Sequence, residues 1–249
     1  MIRIEKKQAP HLVKTKMICD NGLADKLNNF EVLKHLNQHS TTLLVGKPRS
    51  GKTSLITSLF SSRECMKKVF HKVYIFQPAS SGASVKNNVF DKLPPEQIFN
   101  ELTIEDLNQV YNDIQALPKD YNKCIILDDQ GSYLKNKELQ RLFKNLCFNR
   151  RHLGVSIYFL TQTYFSVPRE LRKIFNNLFI FKTSKMELQT IFEEQIELDK
   201  SYVLPISKLV FDKLYNFLFI NTDSQTLYRN FDRIILKEDD DNEIETKNI

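Results

Sequence analysis

Apolar residues fall into two kinds of run along this chain. Short, nearly unbroken blocks at Thr41–Gly46, Val73–Phe76, Cys124–Leu127, Val155–Leu160 and Leu178–Phe181 have the length and composition of strands buried on both faces. Between them the period lengthens. Lys52–Phe60 reads as a helix. Thr103 opens another, with Asp106 completing a capping box and Ile104, Leu107, Val110, Tyr111, Ile114 and Leu117 on its apolar face. Leu139, Leu142, Phe143, Leu146 and Cys147 give a third its face, and Leu23, Leu27, Phe30, Leu33 and Leu36 predict one more, ending before His39-Ser40. A Ser/Gly/Asn-rich loop runs from Ala79 to about Asn88.

Strand blocks alternating with helical periods predict an α/β chain with a central, mostly parallel sheet flanked by helices. After Lys185 the pattern changes to two helices and a hairpin, with arms Phe217–Ile220 and Leu227–Phe231 and Asp223-Ser224 near the turn. The expected divisions are an N-terminal extension with one helix (1–40), a core (41–184), C-terminal helices and a hairpin packed on that core (185–236), and an acidic, mobile tail (237–249). There is no internal repeat.

Composition narrows the function classes. The 249 residues, 41% hydrophobic and 27% charged, suit a soluble globular protein. The formal charge of +6 is uneven: the segment from Lys237 onward holds two lysines against six acids, a net −4, so the rest carries +10. A basic body suits a partner with a phosphate backbone. The four cysteines form no CxxC pair and the five histidines are scattered, so zinc-type spacing is missing. Cys124 and Cys147 sit in apolar runs and read as core residues of a reducing compartment. No run approaches the ~18 apolar residues of a membrane span, and Met1–Pro10 lacks an apolar signal core, so the expectation is a protein that is not secreted.

One octet carries the chemistry. Gly46-Lys47-Pro48-Arg49-Ser50-Gly51-Lys52-Thr53 fits G-x-x-x-x-G-K-[ST], follows a strand block and runs into a helical period through Ser54. Glycines let successive backbone N–H groups face phosphates, and the helix adds its positive N-terminal end. Lys52 is placed to reach the β- and γ-phosphates of ATP, and Thr53 to ligate magnesium. Ile125-Ile126-Leu127-Asp128-Asp129 reads as the matching Walker B strand, with Asp128 holding the Mg2+ water shell and Asp129 orienting the attacking water. Asp129 is one methylene shorter than the glutamate often used there. Gln162 ends the fourth strand block; if that strand inserts between the two Walker strands, Gln162 lies beside the γ-phosphate as a sensor. Arg150, Arg151, Arg169 and Arg172 are candidates for a finger reaching a neighbouring subunit's nucleotide. The octet and the acid pair indicate a P-loop NTPase of the ASCE, or RecA-like, type.

These residues together resemble the genome-packaging ATPases of poxviruses, other large DNA viruses and virophages, within the FtsK/HerA group of DNA-pumping motors. The likeness lies in GKPRSGKT, in ILDD, and in Asn149-Arg150-Arg151-His152-Leu153 followed by Ser156-Ile157, Leu160-Thr161-Gln162-Thr163-Tyr164 and Val167-Pro168. It covers roughly residues 41 to 182. The resemblance implies that Arg151 is the trans-acting arginine with His152 its neighbour, and that Gln162 is the sensor. It also implies a ring homo-oligomer, a pentamer or hexamer, that threads double-stranded DNA into a preformed capsid, with capsid or portal-vertex proteins as partners and the host cytoplasm (virus factory) or virion as its place. Lys135 and Lys137, just after Walker B, are candidate DNA contacts. Two rival readings stand beside this one: a P-loop nucleotide kinase, which gives Gln162 no role, and an NTP-dependent assembly switch. The Asn-Lys-x-Asp motif of GTPases and the LSGGQ signature of ABC proteins are both absent.

Overall fold

The computed structural model describes residues 2–5, 31–36, 39–78 and 88–236. In chain order the strands are β1 (Ile2–Glu5), β2 (Thr41–Val45), β3 (Lys72–Phe76), β4 (Ile98–Phe99), β5 (Lys123–Asp128), β6 (Val155–Thr161), β7 (Asn177–Phe181), β8 (Phe217–Asn221), β9 (Thr226–Arg229) and β10 (Asp232–Leu236). The helices are α1 (Glu31–Leu36), α2 (Lys52–Ser61), α3 (Ile104–Ala116), α4 (Lys137–Leu153), α5 (Arg169–Arg172), α6 (Lys185–Gln195) and α7 (Val203–Val210).

The ten strands of the described residues join one sheet, in the order β1-β10-β9-β8-β7-β2-β6-β5-β3-β4. From β7 to β4 every pairing is parallel; from β7 outward to β1 every pairing is antiparallel. The strand period of two divides the apolar blocks between two cores. Leu43, Val45, Ile125, Leu127, Ile157 and Phe159 face α3, α4, α6 and α7. Leu44, Ile126, Tyr158 and Leu160 face the other way, onto α1 and α2. Strands covered on both faces explain why the blocks are continuous rather than alternating.

Helix ends follow local chemistry. Thr103 Oγ1 accepts from Asp106 N at 3.1 Å, the first half of the capping box read from the sequence, while the Asp106 carboxylate takes the Thr103 hydroxyl at 2.8 Å rather than its N–H. Asn136 caps α4 by accepting from Glu138 N and Leu139 N. Gly154 ends α4 in the left-handed conformation, φ 65°, where a Cβ would meet the Tyr121 carbonyl at 3.1 Å.

The C-terminal hairpin is larger than the pattern suggested. Its second arm stops at Arg229; Asn230 takes φ 54° in the turn, Phe231 lies outside any strand, and β10 returns to pair with β1. The alternation in Asp232-Arg233-Ile234-Ile235-Leu236 is broken by charge, so β10 was not legible, and the dipeptide strand β4 is too short to show a period. The spacing through Leu23–Phe30, the loop from Ala79 to Lys86 and the acidic tail lie outside the described residues.

Candidate functional site

The octet folds as a tight loop between β2 and α2. Gly46 N donates to Thr161 O at 3.1 Å, tying the loop to the end of β6, and Ser50 N closes a turn onto Lys47 O at 3.1 Å. A Cβ on Gly46 would sit 2.6 Å from Ser50 Oγ and 2.7 Å from Phe181 Cβ, so only glycine fits. Gly51 has φ 107°, a conformation open to glycine alone, and Arg49 takes φ 63°. A non-glycine residue held there costs about 1 kcal/mol or more, typical of strain kept at functional sites. Gly51 gives α2 no side-chain cap, and the first turn of α2 carries no acid, whereas α3, α4 and α6 each carry one or more. The N–H groups at the start of α2 are thus left open for an anion.

Lys52 is buried and folds back on the loop, donating to Gly46 O at 2.5 Å and Lys47 O at 3.2 Å. Burial pushes its pKa below the usual lysine value, while Asp128 and Asp129 pull it up. Ser50 Oγ is buried with no hydrogen-bond partner among the described residues, a donor that an oxygen-rich ligand would satisfy.

β6 runs between β2 and β5, pairing Val45 with Thr161 on one side and Asp128 with Leu160 on the other. This insertion sets the carboxyl ends of three strands side by side. Asp128 ends β5 at 7% exposure. Burial, helped by Asp129, raises its pKa to about 6, against the opposing pull of Lys52 and Thr53. Asp129 follows at φ 56°, with its N–H on Leu160 O at 2.9 Å. Its carboxylate accepts from Gln162 Nε2 at 2.8 Å. The Thr53 hydroxyl and the Asp128 carboxylate are hard oxygen donors, and among the described residues no group of three or more His, Cys, Asp or Glu forms a closed cage. That donor set suits magnesium, which keeps several waters and takes phosphate oxygens rather than an all-protein cage.

The four arginines separate. Arg150 is spent within its own subunit, donating to His39 O, Cys147 O and Asn176 Oδ1 at 2.8, 3.0 and 2.8 Å. Arg172 is buried, bonded to Val167 O and Glu194, with its guanidinium over the Tyr164 ring at 4.7 Å. Neither is placed to act as a finger. Arg169 is exposed and lies 3.8 Å from Glu194. Arg151 is exposed in the last turn of α4 beside exposed His152, and its side chain makes no hydrogen bond or ion pair with any described residue. It is about 22 Å along α4 from the Walker B end, at 1.5 Å per residue, so it cannot serve its own phosphate loop. Lys135 and Lys137 are exposed and line an open groove of about 870 Å³ together with Asp129, Gln162 and Phe165.

Two supporting residues were not singled out from the sequence. Gln130 is fully buried: its Nε2 donates to Asp128 O at 3.1 Å and its Oε1 accepts from Leu102 N at 2.9 Å, bracing the turn that aims Asp129. Glu187, buried at the start of α6, accepts from Thr163 Oγ1 at 2.6 Å and from Tyr164 N and Thr183 Oγ1, fixing the segment just after Gln162. The only sequence signal for Gln130 is a polar residue between an acid pair and a glycine. Glu187 carries no signal beyond that of an acid in the first turn of a helix.

Comparison with known proteins places the fold and the family. The fold is shared with the DNA-packaging ATPase B204 of Sulfolobus turreted icosahedral virus, at 16% identity, TM-score 0.58, and 77% of this chain over 97% of that one. B204 of Sulfolobus turreted icosahedral virus 2, solved with ATP-γS, matches at 16% identity and TM-score 0.56, with 76% and 95% coverage. EssC ATPases 2 and 3 of Geobacillus thermodenitrificans match at 11% identity and TM-score 0.51, covering 79% of this chain and 39% of that one. No curated protein matches in sequence. Residues 27–248 match the family described as Poxvirus A32 protein, so the chain, with its P-loop NTPase fold, belongs to the poxvirus A32 protein family.

Proposed function

We propose that this protein is the ATPase of a viral genome-packaging motor, working as a ring that drives double-stranded DNA into a capsid. The observation that carries the reading is the Gln162–Asp129 hydrogen bond at 2.8 Å, made possible by β6 lying between the two Walker strands. A nucleotide kinase has no use for a side chain that links the water-orienting carboxylate to a neighbouring strand end, whereas a motor needs one to report the state of the γ-phosphate.

The loop amides of Gly46–Thr53 and the α2 N-terminus cradle the triphosphate, with Ser54 on the first turn of α2 beside them. Lys52 leaves the carbonyls of Gly46 and Lys47 to neutralise phosphate oxygens. Thr53 and Asp128 would hold magnesium, whose positive charge would offset that of the phosphates. Asp129 orients the water, and Gln162 couples that carboxylate to β6. Arg151, whose side chain bonds to no described residue of its own subunit, reaches the nucleotide of the next protomer and stabilises charge there. Lys135 and Lys137, beside Asp129 and Gln162, offer contacts to the DNA backbone. Capsid or portal proteins complete the machine, in the host cytoplasm or virion.

ATP turnover measured with and without double-stranded DNA tests the reading. Strong stimulation by DNA, lost in Arg151→Ala, is expected, together with rings in electron micrographs. Turnover indifferent to DNA but raised by a small phosphate acceptor would replace the motor with a kinase.

A further inference from the structure

The phosphate loop has two flanks, because β2 has β6 on one side and β7 on the other. The hydrolytic residues Asp128, Asp129 and Gln162 all stand on the β6 flank. A triphosphate with its γ end there must direct its nucleoside end toward the β7 flank. That flank holds a cavity of about 210 Å³ against the loop residues Arg49 and Ser50, walled by Phe181 at the end of β7 and by the Phe211–Asn216 strap after α7.

Two rings of this cavity touch the glycine that opens α2: Tyr215 Cδ1 lies 3.3 Å and Phe181 Cε1 3.4 Å from where a Gly51 Cβ would be. Tyr215 is 67% exposed and its neighbour Leu214 84% exposed, an unusual place for two large apolar side chains. Tyr215 is also held at φ 67°, a backbone conformation most side chains avoid. The strap is pinned in that conformation from behind. Arg229 grips the Asp212 carboxylate at 2.6 Å to both oxygens, Asn216 Nδ2 donates to Asp212 at 2.8 Å, and Asn230 Nδ2 donates to Asn216 Oδ1 at 3.0 Å.

We infer that the Tyr215 strap and Phe181 form the base subsite of the nucleotide pocket, binding a purine ring by stacking on Tyr215. This rests on the ATP-binding reading given above. The side-chain acceptors of the strap, Asp212 and Asn216, are already engaged by Arg229, Asn216 and Asn230, so the pocket reads ring area rather than the exocyclic groups of the base. It takes adenine and guanine alike and holds pyrimidines more weakly.

Calorimetric titration with ATP and with inorganic tripolyphosphate, both with magnesium, separates base from phosphate. Tyr215→Ala should weaken ATP on the order of tenfold, from the known worth of one base–aromatic stack, and leave tripolyphosphate unchanged, while Tyr215→Phe keeps both. In the unaltered protein UTP and CTP should bind more weakly than ATP and GTP. An equal loss of both ligands in Tyr215→Ala would mean the ring merely braces Gly51, and no loss of either would put the base elsewhere; each overturns the subsite, as would pyrimidine binding equal to purine. Failure of the unaltered protein to bind ATP or tripolyphosphate would instead refute the ATPase reading itself.

Discussion

Asp128 offers a measurement that separates the cost of building this site from its use. Asp128 is 7% exposed and its pKa is raised to about 6, against 3.8 for the free group, with burial as the leading cause. The folded protein therefore holds the Asp128 proton more tightly than the unfolded chain does. This group's contribution is most favourable below pH 3.8 and becomes progressively worse as pH rises through about 6. The shift of roughly two units corresponds to about 3 kcal/mol of instability at neutral pH, at 1.36 kcal/mol per unit. Asp128→Asn resembles the protonated state, and it should stabilise the nucleotide-free protein by about that amount at pH 8. For a chain of this size that is a rise in Tm of roughly 6–12 °C. The gain should shrink as pH falls through 6 and vanish near pH 4. Thermal unfolding of both proteins across pH 4–8, without nucleotide, is the assay. The same variant should lose the stabilisation that Mg-ATP gives the unaltered protein. Equal unfolding midpoints at every pH would refute the claim that the carboxylate at the end of β5 is buried at a cost that Lys52 and Thr53 only partly offset.

Further outcomes follow from the same geometry. Gln162→Ala should bind ATP normally yet turn over far more slowly, because it loses the contact to Asp129 and none to the phosphate loop; a raised Kd with unchanged kcat would contradict this. Arg150→Ala should lower unfolding stability by about 2 kcal/mol, since a half-buried guanidinium with three acceptors is removed. Arg151→Ala should leave stability untouched and reduce DNA-stimulated turnover by roughly 10³-fold or more; the opposite pattern would exchange the roles of the two arginines. Glu187→Ala should cost about 3 kcal/mol in denaturant unfolding and also depress turnover, because the buried Tyr164 N–H loses its acceptor next to Gln162.

The phosphate loop was readable because its chemistry is local: eight consecutive residues, a strand before and a helix after. The place of Gln162 was readable only on a condition about strand order, and the parallel pairing of β6 with both β2 and β5 meets that condition. What escaped the sequence is long-range. Arg150 and Arg151 are neighbours with the same chemistry, yet one turns inward to His39 and Asn176 while the other stays in solvent, a difference set by helix phase against residues more than twenty positions away. Gln130 likewise serves Leu102, 28 positions upstream, a partner no local pattern could announce. β10 was hidden for a different reason: it pairs with β1 at the far edge of the sheet, where one-sided burial tolerates Asp232 and Arg233 in a strand.

These long-range contacts change the standing of the C-terminal region. By pattern it looked like an extension packed on a finished core. In the structure β8 continues the same sheet from β7, and the region reaches both flanks of the phosphate loop. On the β6 flank, Glu187 at the start of α6 fixes the Thr163–Tyr164 segment behind Gln162. On the β7 flank, Arg229 and Asn230 from the β9 hairpin pin the strap that carries Tyr215 to Gly51. On the roles proposed for Gln162 and Tyr215, a change at the γ-phosphate and a change at the base would arrive at one body of structure, α6 through β9. In the proposed motor that convergence would give the region a mechanical use, since a displacement starting at either end of the nucleotide would move the same antiparallel half of the sheet.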